Sequence, residues 1–129
     1  MLTPSQRLAH RQCPRKLWLS VHRPELGQVA PWHERRDSHA VQDAVRRLYP
    51  EARHVSSPMW PQAARETTSA LVRRPRPILN AAVETCGLQA RIDLLLPLWR
   101  GYRLVKLTAR TQADRIDREA LAIQAWAAR

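Results

Sequence analysis

The 129-residue sequence has no phenylalanine, three glycines and two cysteines. Cys13 and Cys86 are too few for a disulfide scaffold, or for a zinc or iron-sulfur site built from cysteines alone, and are expected to be reduced thiols. Nor is there a run of about 18 apolar residues, the length a membrane-spanning helix needs. Met1 to Lys16 is interrupted by Arg7, His10, Arg11 and Arg15, so a signal peptide is not expected either; the reading is a cytoplasmic protein with no membrane partner. Acids are scarce. Lys+Arg 22 against Asp+Glu 11 leaves a formal charge of +11, which points to polyanionic partners and electrostatically steered association. At 44% hydrophobic and 26% charged residues, the chain is too apolar for wholesale disorder. Its length predicts a single domain over 1–129.

Proline punctuates the chain. Thr3-Pro4 reads as an N-cap and first helical turn, opening a helical segment that breaks near Cys13-Pro14 and ends before Pro24. From about His33 to Tyr49, Ala40, Val41, Ala44, Val45 and Leu48 recur at helical spacing until Pro50. Pro61 opens a further helix that ends at Arg73-Arg74-Pro75-Arg76-Pro77, a rigid basic linker in which no helix can continue. The period then shortens. Ile78 to Thr85, Leu88 to Leu96 and Tyr102 to Thr108 predict three antiparallel strands in a meander, with Tyr102, Leu104, Lys106 and Thr108 on one face of the third and only one face core. Ile116, Ala120, Ile123 and Ala127 predict a closing helix over about 113–128. The order is α+β.

Within this frame, Gln12-Cys13-Pro14-Arg15-Lys16-Leu17-Trp18-Leu19 followed by His22-Arg23-Pro24-Glu25-Leu26 resembles the N-terminal signature of the RecB-like, CRISPR-associated branch of the PD-(D/E)xK nucleases. The resemblance continues through Arg46 to Pro50, Glu66-Thr67, Arg91 to Leu95 and Arg103 to Val105. It implies a restriction-endonuclease-like core, incomplete on its C-terminal side, in which one strand ends in an aspartate, the next carries Glu-x-Lys, and a helix bearing a glutamine packs over both. Two converging carboxylates would hold Mg²⁺, which neutralises charge on a phosphate and activates a water. Asp93 matches the metal-binding aspartate and Gln124 the glutamine. An aspartate between Ile92 and Leu94 would be costly without a partner. Some relatives bind an iron-sulfur cluster through one N-terminal cysteine, matched by Cys13, and three more for which this chain has no match, so no cluster is expected.

The departures decide the expected function. Aligned without gaps, Lys106 stands where the second metal-binding acid belongs and Thr108 where the catalytic lysine belongs. An ammonium beside Asp93 would supply part of the charge a divalent metal brings. Glu84 is an alternative acid, Ser38 and Gln42 stand where relatives carry glycines, and His39 lies beside a possible ligand position. Arg73, Arg74 and Arg76, with Arg15 and Lys16, are the candidate phosphate contacts. Trp32, Trp60 and Trp99 fall near loops where an aromatic can stack on a base, although core or rim packing is the expectation for each. The sequence thus reads as a nuclease-like nucleic-acid-binding domain, DNA before RNA, with a degenerate catalytic centre. The alternatives are an active metal-dependent nuclease with a displaced second acid, and a truncated non-catalytic interaction fragment.

Overall fold

A computed structural model describes residues 3–27 and 32–128, and the Trp32 side chain falls outside what it describes. The element order is α1 (Pro4–Gln12), α2 (Pro14–His22), a 3-10 turn (Pro24–Leu26), α3 (Trp32–Leu48), β1 (Arg53–His54), α4 (Trp60–Val72), β2 (Ile78–Thr85), β3 (Leu88–Pro97), β4 (Tyr102–Val105) and α5 (Arg115–Ala127). The protein is α+β. Thr3 caps α1 in a reciprocal box with Gln6, and Asp114 caps α5 with Asp117. No helix among the described residues is long and apolar enough to cross a membrane.

The sheet order is β1-β2-β3-β4, with β2-β3-β4 an antiparallel meander. A fourth strand, β1, adds to its edge in parallel, pairing Arg53 with Ile78 and His54 with Leu79. Two residues are too few to show a period, which hid β1 in the sequence. The expectation that only one face of β4 is core is corrected. Tyr102 and Leu104 pack into a cluster with α4 residues Ala63 and Ala70, while Val105 and Leu107 join a second with Val45 of α3. Helices therefore cover both faces, and α5 closes a third cluster through Ala127 on Leu88 and Ala90. Fully burying each of Val55, Ile78, Ile92 and Leu95 stabilises by about 1.5–3 kcal/mol.

The β2–β3 ladder is continuous except at one place. Every residue of β2 has a partner on β3 apart from Asn80, which would face Asp93 and has φ 58°. Ile78 and Ala81 share the first cluster while Leu79 joins the second, and Ile92 and Leu95 likewise flank Leu94. Strict alternation forbids such spacings of three, so the side-chain pattern reverses at the unpaired position. Asn80 turns its amide outward and donates from Nδ2 to the Val55 carbonyl at 3.0 Å.

The outer edge of β2 beyond β1 is closed by α4. Buried Thr67 accepts at Oγ1 from the Ala82 N–H (2.8 Å) and donates to the Ala63 carbonyl (2.9 Å), so one hydroxyl substitutes for a missing strand.

Candidate functional site

Where the ladder breaks, Asp93 is released from backbone pairing and turns toward the end of β4. Its Oδ2 accepts from Lys106 Nζ at 2.8 Å and from the Leu107 N–H at 2.9 Å. The carboxylate thereby takes over the ladder beyond the Leu94–Val105 pair, and β4 stops at Val105 instead of running to Thr108 as expected. Both ionic side chains keep about a quarter of their surface, 28% for Lys106 and 25% for Asp93, so the pair is desolvated yet reachable.

The pair sits in the wall of an open cavity of about 560 Å³. Ser38, Gln42 and Arg46, four residues apart on α3, form one side as a single helical stripe. His54 and Asn80 come from the sheet edge, and Thr108, Arg110 and Asp117 complete the rim. Lys106, Arg46 and Arg110 bring three cations against the two carboxylates of Asp93 and Asp117. Arg46 is also 3.6 Å from Asp43, and Arg110 is paired with Asp114 and lies 3.9 Å from Asp117. The lining is rich in donors and suits an anion with several oxygens.

The chain matches no family model, no curated protein and no solved structure.

The remaining sequence candidates divide. Thr108 lines the cavity, its Oγ1 accepting from the Arg110 N–H at 3.2 Å. Gln124 is buried but outside the lining. Its Nε2 donates to the Arg91 carbonyl at 2.7 Å, tying α5 to β3 two residues from Asp93, and its Oε1 finds no partner among the described residues. Arg73, Arg74 and Arg76 are exposed on the linker between α4 and β2 and make no ion pair among the described residues. Arg15 and Lys16 are exposed on α2, where Lys16 Nζ donates to Gln12 at 2.6 Å. Glu84 is engaged elsewhere, accepting from Trp60 Nε1 at 2.9 Å and Gln89 Nε2 at 3.2 Å. His39 is exposed and outside the cavity lining. Arg46, His54, Arg110 and Asp117 escaped the sequence reading because they reach the cavity from four separate segments; only the Ser38–Gln42–Arg46 spacing carried a signal.

The residues present do not fit a hard divalent cation. Mg²⁺ asks for about six oxygens, one or two of them from carboxylates free to ligate it. Asp93 is already committed to an ammonium, and Asp117, the other acid of the lining, accepts from the Asp114 N–H at 3.2 Å. Among the described residues no three His, Cys, Asp or Glu side chains gather to hold a metal.

His54 links the cavity to pH. Desolvation, then the Arg46 guanidinium, pulls its imidazole below the usual 6.5, while Glu66 opposes this. Folding thus favours neutral His54. The stability this represents is complete above about pH 6.5 and is lost as pH falls from there through the folded midpoint. Between about pH 7.5 and pH 5 the urea midpoint should fall, and His54→Gln should flatten that slope. An unchanged slope in the variant would assign the pH dependence to other groups.

Proposed function

We propose that the protein is a PD-(D/E)xK nuclease-like domain that binds nucleic acid, DNA in preference to RNA, through its phosphates, and that its metal-dependent cleavage is lost. The observation that carries this reading is the Lys106 ammonium seated on Asp93 at 2.8 Å. An ammonium at that position neutralises the carboxylate a metal would need and leaves a fixed cation facing the cavity. In cleavage, the metal activates the attacking water and neutralises developing charge. A lysine there supplies charge alone, so a phosphate can be held and not cut. Ser38, Gln42 and Thr108 add neutral donors around it.

The cations outside the cavity support the same reading. Arg73, Arg74 and Arg76 provide sequence-independent phosphate contacts, and nothing on the linker reads base edges. With about four phosphates neutralised, affinity for a random-sequence oligonucleotide should drop about a hundredfold between roughly 50 and 200 mM salt. Fluorescence anisotropy of a labelled strand measures this. The triple variant Arg73→Ala, Arg74→Ala, Arg76→Ala should lower the logarithmic salt slope by about 2–3. Affinity indifferent to salt, or Mg²⁺-dependent cutting by the unmodified protein that Asp93→Ala abolishes, would refute the reading.

A further inference from the structure

Five tryptophans are present, and among the described residues two of them, Trp60 and Trp18, make ring contacts. The Trp60 ring lies under the Arg91 guanidinium, with 5.4 Å from carbon to centroid, and its N–H bonds Glu84. The Trp18 ring is 4.9 Å from that of His22. Trp126 sits on α5 and is 43% exposed. Trp99 differs from these in exposure: it is 97% exposed, with no ring contact among the described residues. The sequence-based expectation of core or rim packing therefore fails for this residue.

Its position is the tip of a short hairpin. Pro97 pairs with Tyr102 at the end of the β3–β4 ladder, and the Leu98 N–H bonds the Gly101 carbonyl at 2.9 Å. Trp99 and Arg100 are thus the two residues of the turn. Gly101 adopts φ 82°, a left-handed conformation that costs glycine least, so the turn is held by backbone geometry.

The surroundings choose the ligand. From Leu94 to Ala113 there is no acidic residue, while Arg100, Arg103, Lys106 and Arg110 fall in that stretch. Arg100, next to Trp99 in the turn, and Arg103, on β4, are exposed. An exposed aromatic on an acid-free, arginine-bearing hairpin fits an unpaired base and its phosphates. Asp93 and Trp99 are six residues apart in the chain, so the cavity and the tip are separated by at most about 20 Å. We propose that Trp99 is a base-stacking side chain for single-stranded nucleic acid whose phosphates run back along the hairpin toward the Lys106 cavity. This rests on the phosphate-binding reading above and adds to it a preference for strands whose bases are free.

The test compares the unmodified protein with Trp99→Ala and Trp99→Phe by anisotropy, using a labelled thymidine 12-mer and an abasic strand of equal phosphate count. The expected result is about tenfold weaker binding of the thymidine strand by Trp99→Ala, near-recovery by Trp99→Phe, and no effect of either variant on the abasic strand. Equal loss on both strands, or no loss on either, overturns stacking while leaving phosphate binding in place. No binding of either strand by the unmodified protein overturns both proposals together. Anionic phosphatidylglycerol vesicles are the third probe. If Trp99→Ala abolishes vesicle binding and leaves oligonucleotide binding untouched, the tip belongs to a membrane surface and the proposal falls.

Discussion

Replacing Lys106→Glu together with Thr108→Lys should raise the affinity of the site for a divalent cation. Without metal, the double variant loses the ion pair of Asp93 and sets a second carboxylate in its place, a destabilisation of about 2 kcal/mol. Mn²⁺ should then reverse it. At a hundredfold excess over Kd, a ligand that binds only the folded state adds about 2.7 kcal/mol, so the melting temperature of the variant should climb with Mn²⁺ while that of the unmodified protein stays flat. Calorimetric titration gives the affinity directly. Adding Asp93→Asn to the double variant should remove the response. A Mn²⁺-dependent rise in the unmodified protein would instead mean that Asp117, across the cavity, completes a ligand set with Asp93.

The second large effect lies away from the cavity. Thr67→Val keeps the shape of the side chain but leaves the buried Ala82 N–H with no acceptor, at a cost of about 1–3 kcal/mol. For a domain of this size that is a fall of about 8 °C in melting temperature. Thr68→Val is the internal control. Thr68 makes the same helical bond, to the Ala64 carbonyl at 3.0 Å, but is exposed and closes no strand, so its loss should be nearly neutral. Hydrogen exchange at Ala82 should accelerate in the first variant and not in the second. Similar melting temperatures for both would show that the hydroxyl contributes only within its own helix.

Much of the fold was legible because local chemistry and tertiary packing agree. Thr3-Pro4 starts α1, Cys13-Pro14 separates it from α2, and the Arg73 to Pro77 run stops α4 before β2. The hairpin residues between β2 and β3, Cys86 and Gly87, take positive φ where the sequence placed a break. What escaped depends on partners distant in the chain. The end of β4 is set by Asp93, thirteen residues earlier than Lys106, and strand propensity alone carried the expected strand on to Thr108. Two core faces in β4 require knowing that α3 and α4 lie on opposite sides. Asp93 was nameable from the resemblance and because an aspartate amid leucines demands a partner, and Lys106 only from the register that the resemblance implied. Arg46 and Arg110 were not, since exposed arginines on any segment look alike until the fold brings a few of them to one rim.

The two-residue β1 also bears on how molecules of this protein meet one another. A free sheet edge is a template for a strand from another chain, and cross-chain ladders of that kind seed aggregates. Here one edge is a strand of two residues, extended by the Asn80 amide on Val55, and the other is β4, four residues long and carrying exposed Arg103. Neither offers a long flat row of free donors and acceptors, and the like charge of two +11 chains opposes their approach. The leucine run Leu94-Leu95-Leu96 occupies the protected middle of the sheet, paired to β2 or β4 along its length.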